Sequence, residues 1–269
     1  MSDQAPAAAG PQLNGATKKA GDGSSLITAA SILGGLVIWE VAARYVVGNP
    51  LFLSAPTQIA AEIGKLLGTG ELQMHMAVSG LEFIIGLAIS IVLGVGMGFL
   101  IATNRVANKI IGPWVALLYA TPTIAIAPLI ILWAGIDIWS KVIVVVINAT
   151  FPMIINTEAG LRATDRKLVE TVRCFGASRF QVFREVMFPS AIPYMLAGVR
   201  LAVGRAIVSV VVGELFGSRA GLGYMLAQAA EVFNMPRLFA AVSVLAITGL
   251  LLTMLAQYLE RALQPWNRA

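Results

Sequence analysis

The stretch Glu170-Thr-Val-Arg-Cys-Phe-Gly176, followed after nine residues by Val186-Met-Phe-Pro189, lies between two long apolar runs. It is polar and basic, so its charges would be costly to bury in lipid. We therefore expect it to lie in water beside a membrane, where a second protein can contact it. The apolar runs on either side predict an all-α integral membrane protein in which this stretch connects two spanning helices.

The composition agrees with a polytopic membrane protein. The chain has 269 residues, of which 58% are hydrophobic and only 12% charged, whereas a soluble domain carries about 25% charge. The net charge is +5, but the basic residues fall between apolar runs, which disfavours nucleic-acid binding. A single cysteine and a single histidine exclude an internal disulfide and leave too few soft ligands for a zinc or haem site.

Six apolar runs are long enough to cross a bilayer, which takes about 20 residues. They are Leu26–Val47, Val78–Ala102, Ile110–Ala134, Ile138–Thr157, Ala191–Val212 and Phe239–Leu259. The predicted domains are a disordered cytoplasmic tail (1–25), a first spanning helix (26–47), a periplasmic segment (48–77), a core of five spanning helices (78–260) and a cytoplasmic C-terminal tail (261–269). The first run is predicted to be uncleaved, because no small-residue cleavage site follows it.

The basic residues predict the orientation. Four clusters flank the spans: Lys18 and Lys19; Arg105 and Lys109; Arg162, Arg166, Lys167, Arg173, Arg179 and Arg184; and Arg261 and Arg268. With six spans all four clusters fall on one side, and the positive-inside rule makes that side cytoplasmic. We therefore expect both termini in the cytoplasm.

The periplasmic segment contains a helical pattern. Ile59, Ile63, Leu66 and Leu67 recur at helical spacing beside charged residues, which predicts a short interfacial helix. Such a helix can contact an external partner or rest on the membrane surface, and the pattern favours the second interpretation.

Two spans carry residues that alter helix geometry. Pro122 and Pro128 fall inside the third span, where each removes a backbone hydrogen bond and bends the helix. Such breaks fit a helix that lines a path, but equally an ordinary kinked packing helix. Gly94 and Gly98 of the second span are four residues apart, the spacing that lets two helices approach closely. We favour packing against another helix of the same chain over a contact with a second subunit.

The connection between spans four and five, residues 162–189, encodes two short helices with a defined corner. Asp165 or Thr164 can cap the first helix, and Gly176 suits its left-handed end. Ser178 and Gln181 have the spacing of a capping box for the second helix. Pro189 is expected to end that helix, and Ser190 to cap the fifth span.

Apolar residues occupy one face of each short helix. The faces consist of Leu168, Val172 and Phe175 in the first helix, and Phe180, Phe183 and Met187 in the second. Residues of this kind insert into a groove on a partner, or pack beneath the spans of their own chain. The pattern alone does not separate these alternatives.

Charged residues inside the spans must face protein or water, because a charge facing lipid is costly. Arg200 and Arg205 lie well inside span five. They can line a path for an anionic substrate or pair with a carboxylate of another span, and we favour pairing. The remaining charges in or at the ends of spans are Glu40, Arg44, Glu82, Glu158 and Glu214. Glu40 and Arg44 are spaced as a local surface pair.

The connection resembles the signature loop of ATP-binding-cassette (ABC) importer permeases, whose pattern is Glu-Ala-Ala-x3-Gly-x9-Ile-x-Leu-Pro. Glu170, Gly176 and Pro189 match this pattern. The departures are Thr171 and Val172 for the alanines, Val186 for isoleucine and Phe188 for leucine.

The resemblance extends from about Gly80 to the C-terminus and points to the nitrate, sulfonate and taurine branch of these permeases. The other matching stretches are Ala120–Gly135, Ser140-Lys141, Phe151-Pro152, Asn156-Thr157, Arg173–Ser178, Gly221-Leu-Gly-Tyr224, Leu259-Glu-Arg261 and Trp266.

The family implies a transport subunit and not an enzyme. It would work with two copies of an ATP-binding subunit that hold ATP and Mg, a second copy of itself, an extracytoplasmic solute-binding protein and membrane lipid. This chain would bind no cofactor itself, and it has no phosphate-binding loop of its own. The solute would be small and anionic, such as a sulfonate, taurine or nitrate.

The resemblance also assigns candidate residues. Coupling to the ATPase is expected of Glu170, Thr171, Val172, Gly176, Ala177, Ser178, Phe180, Phe183 and Pro189, and the family places such a chain in the inner membrane of a bacterial cell. The candidate pathway residues, which follow from the prolines and charges inside the spans and not from the resemblance, are Pro122, Pro128, Arg200 and Arg205. We therefore call residues 162–189 the coupling loop.

Two other functions are alternatives to an ABC importer permease. An ion-coupled secondary transporter would need inverted repeats and intramembrane ion ligands, and an intramembrane enzyme would have to use the lone His75 without a metal motif.

Overall fold

The computed structural model describes residues 23–49 and 51–263, and every regular element within these ranges is a helix. Most of the predicted N-terminal tail, and the predicted C-terminal tail after residue 263, lie outside the described residues. The helices are α1 (Gly23–Val41), α2 (Pro56–Gly68), α3 (Glu71–Thr103), α4 (Arg105–Ala120), α5 (Ala127–Ala134), α6 (Ile138–Arg162), α7 (Arg166–Cys174), α8 (Arg179–Val182), α9 (Phe188–Gly217), α10 (Leu222–Glu231) and α11 (Met235–Ala262). A π-helical turn at Ala42–Val47 extends α1, a second at Phe183–Met187 joins α8 to α9, and a 3₁₀ turn at Thr123–Ile126 precedes α5.

Within the described ranges, five helices are long and apolar enough to cross a membrane. They are Ile27–Val47, Glu71–Thr103, Ile138–Arg162, Arg179–Gly217 and Met235–Ala262. The pair α4 and α5 also qualifies but is bent by 84°. The α4–α5 pair begins directly after α3 ends at Thr103. Ile136, which follows the pair, lines the same cavity as Val78 and Glu82, two residues in the first half of α3. The broken pair therefore joins opposite ends of α3 and forms the sixth predicted span.

The second and third predicted spans differ from the structure. The second span begins at Glu71 and not at Val78, because Gly70, with a φ of 76°, turns the chain directly into α3. The third span is not one kinked helix, because α4 ends at Ala120 and Pro122 lies in the break. Pro128 causes no bend, since it occupies the first turn of α5, where a missing backbone N–H breaks no helical hydrogen bond.

The centre of the molecule is formed by α3, α6 and α9. Gly94 and Gly98 of α3 lie directly against α6. A Cβ atom at Gly98 would lie 2.7 Å from the carbonyl oxygen of Ile154, and one at Gly94 would collide with Met153. The prediction that these glycines serve internal packing is confirmed.

Helix α2 lies within the predicted periplasmic segment, and its apolar side packs against the rest of the chain. Ile59 and Leu66 are buried in a cluster with residues of α10 and α11. Helix α1 is almost fully exposed, and Thr57 of α2 helps to hold it. Glu40 of α1 accepts hydrogen bonds from the Thr57 backbone N–H at 3.1 Å and from its hydroxyl at 2.8 Å, and the predicted Glu40–Arg44 ion pair is present.

Candidate functional site

The coupling loop begins as its sequence predicts. Asp165 caps α7, because its carboxylate accepts a hydrogen bond from the backbone N–H of Lys167 at 2.8 Å. Gly176 has a φ of 83°, a conformation that residues with a side chain rarely adopt. Ser178 accepts a hydrogen bond from the Gln181 backbone N–H at 3.3 Å, and Gln181 accepts one from the Ser178 N–H at 2.8 Å. The predicted caps and the left-handed corner are therefore confirmed.

The second half of the loop differs from its prediction, because the helix that starts at Arg179 does not end at Pro189. It continues to Gly217 as one helix of 39 residues. The π-helical turn at Phe183–Met187 ends two residues before this proline. At its end, the N–H of Phe188 donates a hydrogen bond to the carbonyl of Phe183, five residues back. Ser190 caps nothing, since its hydroxyl donates to the Val186 carbonyl at 2.7 Å.

The two apolar faces of the loop have different surroundings. Helix α7 contains no buried residue, and Phe175 and Phe180 are 87% and 68% exposed. Phe183 packs inward against Phe99 of α3, with ring centroids 4.6 Å apart, and Met187 packs on the cluster of Leu161 and neighbours. The first face and Phe180 thus remain open to a partner, whereas Phe183 and Met187 pack beneath their own spans.

The remaining coupling candidates lie on the surface of this corner. Glu170, Thr171, Gly176, Ser178 and Pro189 are exposed, and Val172 and Ala177 are half-buried. An open cavity of about 860 Å³ lies between the corner and the end of α3, with Arg173, Arg179 and Phe180 in its wall. The loop therefore presents a basic and aromatic surface beside the end of α3 at Thr103.

The two arginines of α9 have different environments. Arg200 forms an ion pair with Glu260 of α11, with Nη1 and Oε2 3.1 Å apart, which confirms the predicted carboxylate partner. Arg205 has no carboxylate within ion-pair distance among the described residues. Its guanidinium lies over the ring of Tyr119, 5.1 Å from the ring centroid. For Arg205 the predicted ion pair is therefore wrong.

The prolines proposed for the pathway lie in the broken span beside this arginine. Pro122 and Pro128 are both exposed, on either side of the 3₁₀ turn that follows α4. Tyr119, which contacts Arg205, is in the last turn of α4. The helix break and Arg205 are thus neighbours in the fold.

Sequence reasoning missed a buried polar cluster at the opposite end of the spans from the coupling loop. Glu82, Lys141 and Glu214, from α3, α6 and α9, are 1%, 4% and 1% exposed. Lys141 Nζ lies 3.9 Å from Glu82 Oε1, and it donates a hydrogen bond to the Asp137 carbonyl at 2.9 Å. The two glutamates near this end of the spans are therefore enclosed by protein and do not face solvent.

This cluster fixes the connection between α9 and α10. The Glu214 carboxylate accepts hydrogen bonds from the Ser79 hydroxyl and the Gly223 N–H, both at 2.6 Å. Ser79 in turn accepts one from the Leu222 N–H at 2.8 Å. A Cβ atom at Gly221, where φ is 120°, would collide with the Glu214 carboxylate. The Gly221-Leu-Gly-Tyr224 motif is therefore a binding surface for this buried glutamate.

His75 belongs to the same structural network. Its Nδ1 accepts a hydrogen bond from the Gly221 N–H at 3.0 Å, and its side chain is 3% exposed. His75 therefore helps to hold the connection between α9 and α10. Among the described residues, no group of three or more His, Cys, Asp or Glu side chains could hold a metal ion.

Comparison with known proteins gives a family match over most of the chain. Residues 90–269 match the family described as "binding-protein-dependent transport system inner membrane component". The formylaminopyrimidine transport permease protein ThiX of Halalkalibacterium halodurans is 36% identical over 87% of this chain and 92% of its own length. The putative aliphatic sulfonates transport permease protein SsuC of Bacillus subtilis is 32% identical over 87% and 85%.

The taurine transport system permease protein TauC of Escherichia coli is 28% identical over 86% of each chain. Among solved structures, the MetNI methionine ABC transporter in inward-facing conformations contains a chain that matches 71% of this chain and 95% of its own length. The TM-score of that match is 0.62 at 19% identity. An amino acid ABC transporter gives a TM-score of 0.61 at 17% identity, and at these identities the likeness concerns the fold.

Proposed function

Because this chain belongs to the family of binding-protein-dependent transport system inner membrane components, we propose that it is the membrane-spanning permease subunit of an ABC importer that couples solute passage to ATP hydrolysis on a partner subunit. The main support for the coupling role is the exposure of the coupling loop. Helix α7 and the corner at Gly176 project from the spans with no buried residue in α7. A rigid, capped corner of this kind can transmit the motion of a docked partner to α9, since the helix of Arg179 continues to Gly217.

The continuous helix gives the coupling loop a direct mechanical connection to the spans. Phe183 and Met187 pack against α3 and α6, so a displacement of the corner would move α9 and its packed neighbours together. Phe175 and Phe180 are the exposed aromatic residues that we propose insert into the ATPase. Glu170, Thr171, Val172, Ala177, Ser178 and Pro189 complete the proposed contact surface.

The proposed assembly contains two copies of this permease and two ATP-binding subunits. ATP and Mg would bind the ATP-binding subunits and not this chain. An extracytoplasmic solute-binding protein would deliver the solute to the end of the spans opposite the coupling loop. Binding of ATP would close the ATPase pair and open the path toward that protein, and hydrolysis would reset it. Membership of this family gives no support to the alternative of an ion-coupled secondary transporter.

We propose a small anionic solute, of the sulfonate, taurine or nitrate type. The names of SsuC and TauC support this class for those relatives. For this chain the support is the exposed mid-span Arg205, which has no carboxylate partner among the described residues.

The substitution Gly176→Val tests the coupling role. A β-branched residue is poorly tolerated at a φ of 83°, so the corner between α7 and α8 should distort. We expect the tagged chain to reach the membrane at a near-normal level but to lose co-purification of its ATP-binding subunit, or to retain that subunit without substrate-stimulated hydrolysis.

Gly135→Val is a matched control. Gly135 has the same φ of 83°, and both glycines have open space around the Cβ position, but Gly135 lies at the opposite end of the spans. Gly176→Asn should be nearly neutral, since asparagine tolerates the left-handed conformation. Unchanged ATPase retention and stimulation in Gly176→Val would remove the main support for the coupling role.

A further inference from the structure

Arg205 lies near the middle of the membrane-spanning part of α9. It precedes the end of the helix at Gly217 by twelve residues, which corresponds to about 18 Å along the axis. The hydrocarbon core of a bilayer is about 30 Å thick. Arg205 therefore lies at a depth at which a guanidinium that faced lipid would be strongly unfavourable.

The side of α9 that carries Arg205 is not covered by the rest of the chain. Its exposed members recur at helical spacing along the whole span: Tyr194, Leu201, Gly204, Arg205, Val208 and Leu215. The opposite side carries the buried Ala202 and Ala206. Since Arg205 cannot face lipid, its side of α9 must face water or another protein at this depth.

Tyr119 holds the guanidinium while leaving most of its donors available. The Tyr119 hydroxyl lies 3.5 Å from Arg205 Nη2, and the ring also contacts Phe151 of α6 at a centroid distance of 6.5 Å. An arginine has five N–H donors, and Tyr119 accepts from one of them. Among the described residues, Tyr119 is the acceptor for this side chain, so the guanidinium can still bind an oxyanion through two parallel hydrogen bonds.

We propose that Arg205, positioned by Tyr119 at the break after α4, forms an oxyanion-binding site halfway along the translocation path. Its ligand is the sulfonate, carboxylate or nitrate group of the permeating solute. The assignment of the ligand as transported solute rests on the proposed importer function. Arg200 is not part of the site, because Glu260 neutralises it.

The experiment measures the electrostatic effect of Arg205 without requiring transport. In a Cys174→Ser background, Val208→Cys places a thiol one turn from Arg205 on the same exposed side of α9. Membranes are treated with an anionic and a cationic methanethiosulfonate of similar size, and the ratio of the two modification rates is measured. A positive site concentrates the anionic reagent, so Arg205→Gln should lower the anion-to-cation ratio about tenfold.

Three variants serve as controls. Arg200→Gln removes a cation that is already paired, and it should leave the ratio within about twofold of the parent. Val92→Cys lies on an exposed side of α3, 72% exposed, and it should be unreactive if that side faces lipid. Tyr119→Phe keeps the ring against the guanidinium, so it should preserve more of the ratio than Tyr119→Leu does.

The proposal has two ways to fail. An unchanged ratio in Arg205→Gln would mean that Arg205 attracts no anion. Absence of labelling at Val208→Cys and also at Leu201→Cys would mean that this side is covered by protein and not by water. If Arg205→Gln changes the anion-to-cation ratio but the tagged chain retains no ATPase, the proposed importer function is wrong and the anion site is supported. If the ATPase is retained and the anion-to-cation ratio does not change, the proposed anion site is wrong and the importer function is unaffected.

Discussion

Lys141 shows how one residue can be decisive in the fold and yet inconspicuous in the sequence. It is the ammonium group beside the buried carboxylate of Glu82, and Glu214 lies next to that carboxylate. Two of these residues are acidic and one is basic, so loss of the lysine would leave two acidic side chains in the protein interior without a cation. A buried charge that loses its partner destabilises a protein far more than a surface charge does.

We predict that Lys141→Met lowers the stability of the folded protein by about 3–5 kcal/mol, the usual cost of breaking a buried ion pair. Lys65→Met is the matched control, because Lys65 pairs with Glu62 at 3.7 Å while 72% exposed. That control should cost no more than about 1 kcal/mol. The measurement is thermal unfolding in detergent, followed by size-exclusion chromatography. Equal losses in the two variants would show that the cluster does not stabilise this end of the molecule.

Arg200 and Arg205 illustrate the limit of residue-scale reasoning. Both positions required protein or water around the guanidinium, and the sequence could say no more than that. Glu260 is 60 positions from Arg200, and Tyr119 is 86 positions from Arg205. Spatial neighbours at such separations depend on how whole helices pack, so the different environments of the two arginines could be found only in the tertiary structure.

At the scale of elements, glycine positions decide how closely α3 and α6 approach. Gly98 faces the carbonyl oxygen of Ile154 and the Thr157 side chain, whereas Gly96 has no atom within 4 Å of its Cβ position. These glycines are two residues apart on one helix and therefore lie on different sides of it. Close packing is a principal source of helix association within a membrane.

Gly98→Ala should therefore destabilise the protein, since a backbone carbonyl cannot move aside as a flexible side chain can. Forced overpacking costs about 1–3 kcal/mol. Gly96→Ala should be neutral or should stabilise α3 by up to about 1 kcal/mol, the helix preference of alanine over glycine. Comparison of the two melting temperatures in detergent provides the test. A stable Gly98→Ala and an unstable Gly96→Ala would reverse the assigned sides of α3.

The helix of Arg179–Gly217 is another element whose extent was not evident from local patterns. Pro189 has the sequence context of a helix end, but the π-helical turn at Phe183–Met187 carries the chain through it. A π turn is a local rearrangement in which backbone N–H groups bond to carbonyls five residues back, and it occurs mostly as a single turn inside an α-helix. Phe183 of this turn packs against Phe99 on one side and Phe188 on the other.

At the scale of the whole molecule, six crossings place the coupling loop and the Glu82–Lys141–Glu214 cluster at opposite ends. The four basic clusters of the sequence predict that the coupling-loop end is cytoplasmic. The cluster end would then face the solute-binding protein.

Single-cysteine labelling can check this orientation. In a Cys174→Ser background, Thr69→Cys lies in the turn between α2 and α3, and Ala163→Cys lies just before α7; both positions are exposed. An impermeant thiol reagent added to intact spheroplasts should label Thr69→Cys and not Ala163→Cys. Detergent should make both react. Labelling of Ala163→Cys before permeabilisation would invert the proposed topology and place the coupling loop away from any cytoplasmic ATPase.

The sequence alone determined the fold class, the number of spans and the first half of the coupling loop, from the Asp165 cap to the Ser178 cap. These features depend on the length of apolar runs and on interactions between residues a few positions apart, such as the Asp165 and Ser178 caps. The helix at Pro56–Gly68 was likewise evident from its spacing, although its packing against α10 and α11 was not.

The buried charge cluster and the different partners of Arg200 and Arg205 could be found only in the tertiary structure. Each of these depends on contacts between helices far apart in the chain. Ser79 and Glu214, for example, are 135 positions apart and share a hydrogen bond of 2.6 Å. Local patterns specify which side chains need partners, but the packing of α3, α6 and α9 determines which partners they meet.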